Sequence, residues 1–324
     1  MGGRLEYELR VQNKLQEKID KLPKVFSEYY YSLISSGKTY TTAYRYIEHV
    51  LRFVTFTFGE NYADDFYLSV TGTHVNMYIT SLRTKETNGK VERTSDSHRA
   101  LHWSAINSFF QFLVPQYITI NPVSYTNKPK VRDNPNVTYL TREEVGRFLK
   151  NVEAKANERM KNRDLCIFKL GFGTGLRVSA ITQIDIKDVD LEHNQIKVTE
   201  KGDRDYYVLI GDNLRAQIIL WLQDREKYFG DVDSDALFLS QKRKRISTRT
   251  IGDLIERYNE GVTDKHVSPH VMRHSCATNL YEAKGDIYLC AEQLHHRNVS
   301  TTQRYAEVSK ERKKNAANIL DDMI

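Results

Sequence analysis

The sequence predicts a mainly α chain of two domains: an all-helical amino-terminal domain, then a mixed α+β domain with one small antiparallel sheet. Three observations predict it. Apolar and aromatic residues recur at three- and four-residue spacing through residues 23–120. A run of prolines and basic residues without periodicity then separates Asn121 from Val137. Beyond it the hydrophobic period switches to two at one place only, over QIKVTE and YYVLI, before helical spacing returns. A chain of 324 residues is long enough for two such cores.

The elements follow in order. Residues 1–22 read as an amino-terminal extension, with room for a short helix that could serve oligomerisation. LPKVFSEYYYSLISSG has proline at a helix start and glycine at its end, and the run Tyr29 to Tyr31 reads as packing. KTYTTAYRYIEHVLRFVTFTFG gives a second helix closed by glycine. Thr73 is placed to cap HVNMYITSLR. In SDSHRALHWSAINSFFQFLV, the residues Leu101, Ile106, Phe109, Phe110 and Leu113 fall along one side. This helical domain is assigned to residues 23–122, the linker to 123–138 and the second domain to 139–324, with a tail over 309–324. In the second domain Thr141 and Glu144 have the spacing of a capping box. RDLCIFKLGFGTG continues as helix, QIKVTE-KGDRD-YYVLI as a hairpin, and the chain is helical again after Ser247. The tail KERKKNAANILDDMI is basic, then amphipathic through Ile319, Leu320, Met323 and Ile324.

Composition excludes several classes. Apolar residues make up 40 %, which is globular rather than disordered. No stretch is apolar for long enough to span a bilayer, and MGGRLEYELR lacks an apolar signal region, so a soluble, cytoplasmic protein is expected. Cys166, Cys276 and Cys290 are far apart and form no CxxC, which argues against both a disulfide framework and a zinc site. The net charge of +6 is compatible with a polyanionic partner. Lys128, Lys130 and Arg132 in the linker, with Lys242, Arg243, Lys244 and Arg245 in QKRKR, are the clusters that would meet one, although runs of this kind are also ordinary solvated surface.

Four short motifs carry residues suited to chemistry on an anion. In HVMRH, His270 and Arg273 are one helical turn apart behind the helix start Ser268-Pro269. In GTGLR the glycines end one helix, and Arg177 opens the next. GFGTG lacks the GK[ST] ending of a nucleotide loop and follows a helix rather than a strand, so it is not read as one. Lys201 lies at the tip of the predicted hairpin. LHHRNVSTTQRY then places Tyr305 on a polar segment just past two histidines, an odd place for a core aromatic. Each motif alone has a bland structural explanation.

Together, TGLRVS, VTEKGDRDYYVLI, SPHVMRHSCATNLYEAKGDI and LHHRNVSTTQRYAEVS resemble the tyrosine recombinase, or phage integrase, family over the chain from about Tyr139 onward. The helical first domain, with its late NP before a basic linker, looks like that family's core-binding domain, which makes the second domain the catalytic one. The resemblance implies a site-specific DNA recombinase that cleaves and rejoins strands through a 3′-phosphotyrosine, with Arg177, Lys201, His270, Arg273, His296 and Tyr305 as its catalytic residues. It implies no cofactor and no metal. It also implies double-stranded DNA as partner, a homotetramer on two DNA sites with the tail docked on a neighbouring protomer, and accessory DNA-bending or directionality proteins. The alternatives are a type IB topoisomerase and a DNA-binding regulator that has lost catalysis. Two positions depart from the family pattern. Ala180 stands where an acidic residue is usual, and His295 stands where glycine usually precedes the second histidine.

Overall fold

Helical spacing in the first part of the chain gives α1 (Gly3–Ile19), α2 (Lys24–Ser35), α3 (Tyr40–Phe58) and α4 (Gly72–Ser81) in a computed structural model. The structure describes residues 3–87, 89–114, 116–131, 137–200 and 204–295. The chain divides into two units, Met1–Asp133 and Asn134–Ile324.

In the first unit α1 packs on α3, and Leu15 and Ile19 of the expected extension are buried in the core. The α4 cap differs from the expected one. Thr71, not Thr73, precedes the helix: its hydroxyl accepts from the His74 N–H, and His74 Nδ1 accepts from the Thr71 N–H. A reciprocal pair satisfies two donors, which one hydroxyl at Thr73 could not do. The unit is also not all-helical. β1 (Thr84–Thr87) and β2 (Lys90–Arg93) form an antiparallel hairpin pairing Thr84 with Arg93 and Thr87 with Lys90. Its signal was the Asn88-Gly89 dipeptide between strand-competent residues, and Gly89 takes the positive φ of 74° that such a turn demands.

α5 (Asp96–Leu113) starts at Ser95, whose hydroxyl accepts from the His98 N–H at 3.1 Å. It buries Ile106, Phe109, Phe110 and Leu113 as expected, but leaves Leu101 exposed. The buried stripe runs through His102 and Ala105 instead, one position round the helix. Phe109 stacks between Phe26 and Phe66, with centroids at 5.5 and 6.1 Å. Tyr29 meets its edge and donates to Ser108 Oγ at 3.0 Å, so the tyrosine run contributes packing through Tyr29 and Tyr30, while Tyr31 stays exposed.

This core encloses two histidines. His102 is fully buried and its ring lies 3.9 Å from that of His49; Nδ1 pairs with the Tyr78 hydroxyl at 2.8 Å. His102 Nε2 and both ring nitrogens of His49 have no hydrogen-bond partner among the described residues. Burial, then the neighbouring cations, pushes His49 down to about 4 and His102 down to about 3. Both imidazoles fold neutral, whereas the unfolded chain protonates them below about pH 6.5. The unfolded state therefore binds more protons from there down to the folded values, and stability falls as pH falls. Between pH 7 and pH 5 the pair is expected to cost about 2–4 kcal/mol. Urea unfolding at the two pH values checks this, and in the His49→Gln/His102→Gln double variant the loss on acidification should shrink by that amount.

The second unit opens with α6 (Arg142–Lys155). Thr141 and Glu144 form the expected capping box, with the Thr141 N–H donating to Glu144 Oε2 at 2.8 Å. α7 (Glu158–Thr174) is the central helix, buried on most sides from Met160 to Thr174. After α8 (Val178–Gln183), the strands β3 (Val189–Asp190), β4 (Gln195–Glu200) and β5 (Arg204–Leu209) form one antiparallel sheet in the order β3-β4-β5. Period-two spacing buries Ile196, Val198 and Val208 and exposes Tyr207 and Leu209. α9 (Asp212–Phe229) packs along α7, and its Trp221 donates its indole N–H to the Leu237 carbonyl at 2.9 Å. α10 (Thr248–Asn259), α11 (Pro269–Lys284) and α12 (Ile287–Gln293) complete the unit, with α11 against α7.

Candidate active site

The turn that ends α7 needs a glycine. Gly175 has φ +68°, and a Cβ there would lie 2.5 Å from Leu294 Cδ2 and 3.2 Å from Cys276 Sγ. The close approach brings three segments together: the α7–α8 turn, α11 and the chain leaving α12. Arg177 follows at the cap position of α8, exposed, and its carbonyl accepts from the Ala180 and Ile181 N–H groups. Ala180, at the position where the family pattern has an acid, packs its methyl against the core.

α11 begins with Pro269 as its first helical residue, so His270 sits exposed in the first turn. One turn on, Arg273 is buried, 6 % exposed. Its Nη1 donates to the Gly175 carbonyl at 2.7 Å and its Nη2 to the Leu294 carbonyl at 2.6 Å. One guanidinium thus ties the turn two residues before Arg177 to the residue two before His296. The fork suits this task because its donors diverge in a fixed plane. α11 is itself fixed from behind. The Ser275 hydroxyl accepts from the Leu140 N–H at 2.8 Å, and Met272 fills the space beside Gly171.

Cys276 lies in the same cluster. Burial pushes its thiol up to about 12, against the pull of Arg273, so it is a packed thiol and not a nucleophile.

His295 departs from its surroundings. Its φ is +50°, in the left-handed region, where a side chain costs on the order of 1–2 kcal/mol. Its N–H donates to the Glu292 carbonyl at 2.9 Å. Its imidazole lies over the Tyr206 ring, with centroids 3.8 Å apart at 39°. The positive φ explains why glycine suits this position in the family pattern. The ring contact was not foreseeable, because nothing in LHHR points to a strand about ninety residues earlier.

The structure thus gathers the backbone around Arg177, the side chain of Arg273 and the residue preceding His296, with His270 on the exposed side of the same helix as Arg273. Lys201, His296, Tyr305 and the tail over 309–324 lie outside the described residues, as does Arg132. Lys128, Lys130, Lys242 and Lys244 are exposed. The two arginines of QKRKR are engaged on the protein itself. Arg243 pairs with Asp231. Arg245 pairs with Asp185 and donates to the Thr182 and Ile184 carbonyls at 3.0 and 3.3 Å.

Comparison with known proteins places this arrangement. The family model described as phage integrase family matches residues 138–312. The tyrosine recombinase XerC of Escherichia coli O127:H6 (strain E2348/69 / EPEC) is 37 % identical over 213 residues, which is 64 % of this chain and 69 % of the relative. Among solved structures, the XerH site-specific recombinase bound to palindromic difH substrate, a post-cleavage complex, aligns with a TM-score of 0.67 at 23 % identity, covering 87 % of this chain and 80 % of that one. A lambda integrase tetramer bound to a Holliday junction aligns with a TM-score of 0.63 at 15 % identity, covering 87 % and 76 %. At these identities the two structures establish a shared fold.

Proposed function

The chain belongs to the phage integrase family, and from that premise we infer that it is a tyrosine-type site-specific recombinase that cuts and rejoins DNA strands through a covalent phosphotyrosine. The observation that carries the reading is Arg273 on the Gly175 and Leu294 carbonyls, since it draws three of the four motif segments to one place.

Each residue type fits a demand of the reaction. A DNA phosphodiester is anionic, and in-line attack builds further charge on its non-bridging oxygens. Arg177 and Arg273 hold those oxygens through charged N–H donors. A guanidinium has five such donors, so bracing two carbonyls and gripping a phosphate are compatible for Arg273. Tyr305 is the nucleophile. Its Oη–P bond forms as the P–O5′ bond breaks, leaving a 3′-phosphotyrosine and a free 5′ hydroxyl. His270 takes the phenol proton, Lys201 supplies one to the departing 5′ oxygen, and His296 donates a hydrogen bond to a phosphate oxygen. Attack by another strand's 5′ hydroxyl reverses these steps. The covalent link conserves the phosphodiester's energy, so the cycle closes without ATP.

The finer organisation belongs to the same proposal. Residues 23–122 form the core DNA-binding domain and 139–324 the catalytic domain, with 123–138 as a basic linker; the division between the two units at residues 133 and 134 supports this. The protein partners double-stranded DNA, with Lys128, Lys130, Arg132, Lys242 and Lys244 on phosphates, and works as a tetramer on two sites in the cytoplasm. The amphipathic tail links neighbouring copies. A role on a mobile element, and service by DNA-bending or directionality proteins, go with that assembly.

A suicide substrate, nicked so that the cleaved strand diffuses away, tests the chemistry once cleavage positions are mapped on DNA flanking the gene. The expected result is a covalent protein–DNA adduct, together with strand exchange between two intact duplexes. Relaxation of supercoils without exchange would favour a type IB topoisomerase. Site binding with no adduct would favour a silent regulator.

A further inference from the structure

His295 holds a left-handed backbone that glycine would adopt without strain, and its ring spans to a different motif. On one side stands Leu294, 1 % exposed, its carbonyl held by Arg273. On the other stands Tyr206 in β5, paired across the sheet with Val198 of β4. Glu200 pairs with Arg204, and the residues joining these two begin with Lys201. The imidazole therefore connects the turn braced by Arg273 to the two strands that carry Lys201. Tyr206 also packs against the unit's main core, so the contact joins two anchored pieces.

We propose that His295 is a positioning residue for strand cleavage: packed at a tilt on Tyr206, it docks the β4–β5 hairpin on the Arg273-braced turn and so favours the role of Lys201 in protonating the leaving 5′ oxygen. This rests on the role given to Lys201 above. It assigns a use to the position where this chain departs from the family's glycine. The sheet's base is held by β3 and by the buried Ile196, Val198 and Val208, so a ring contact near the β4–β5 tip acts on the end that leads into Lys201.

The test separates proton delivery from every other contribution to cleavage. Adduct formation is followed in a single turnover on two suicide substrates. One has the ordinary scissile phosphodiester. In the other, sulfur replaces the bridging 5′ oxygen, so that as Tyr305 Oη bonds to phosphorus the P–S bond breaks and a thiolate leaves without needing a proton. His295→Gly is expected to slow cleavage of the ordinary substrate about five- to tenfold, the factor that an aromatic contact of this kind carries. On the sulfur substrate it should match wild type. His295→Gly relieves a positive φ, so a folding defect is not expected; His295→Asn, which also tolerates that backbone, should behave the same way. Tyr206→Leu should reproduce the pattern from the other side of the contact, and the double variant His295→Gly/Tyr206→Leu should be no slower than the slower single one. Equal slowing on both substrates, or no slowing on either, overturns the proposal. Wild type that forms no adduct on either substrate overturns instead the recombinase reading beneath it.

Discussion

Tyr305→Phe is expected to bind the recombination site as tightly as wild type and to form no covalent adduct with it. The substitution deletes one oxygen and keeps the ring, so phosphate contacts made by the arginines and lysines, which dominate affinity, are untouched. The same oxygen is the atom that must bond to phosphorus, and removing a nucleophile outright lowers the rate by at least about 10³-fold. Cys276, beside Arg273, has its thiol pushed up to about 12 by burial, which keeps it protonated near neutral pH. Tyr29, Tyr78 and Tyr258 are buried, and burial raises each phenol further above its usual value. A gel-shift titration beside a denaturing gel on the suicide substrate reads both halves of the prediction. An adduct that survives the change would assign the nucleophile to another residue.

Much of the fold was legible because its forces are local. The capping box at Thr141, the glycine ends of α3 and α7, and the period-two strands around residues 201–203 are each written within a few adjacent residues. The differences arise where a local signal had a competitor. Thr73 is as good a cap as Thr71 by type, and the choice fell to His74, whose ring answers Thr71 but not its neighbour. TNGK reads as a polar loop inside a helical domain until the strands on either side of it pair. Leu101 fits the apolar pattern of α5, but the stripe that meets α3 and α4 runs through His102.

The candidate site was legible in a different way. The order and types of its residues carried the resemblance, while the contacts that assemble it run between positions far apart in the chain. Arg273 reaches a carbonyl 98 residues earlier and another 21 residues later, and both acceptors are backbone atoms with no signature in the sequence. Of the QKRKR cluster, Arg245 serves the fold through Asp185 and two carbonyls. A charge run cannot reveal which of its members the protein keeps for itself, because that depends on which carbonyls a distant loop leaves unpaired.

That distinction separates the two arginines and yields the second large effect. Arg273→Lys is expected to lower the cleavage rate by about 10²–10³-fold and also to destabilise the carboxy-terminal unit by about 1–3 kcal/mol. Lysine keeps the charge, but a single ammonium cannot reach two carbonyls in diverging directions and grip a phosphate as well. Either the Gly175 or the Leu294 carbonyl then loses its buried partner, and the turn before Arg177 and the segment leading to His296 come apart. Arg177 is exposed at the start of α8, so Arg177→Lys should show a rate loss of the same order with a much smaller change in stability. Single-turnover cleavage paired with urea unfolding of each variant measures both quantities. Matched stability in the two variants would mean that the Arg273 fork serves the phosphate alone, and that something other than its bond to the Leu294 carbonyl holds the chain leaving α12 beside the α7–α8 turn.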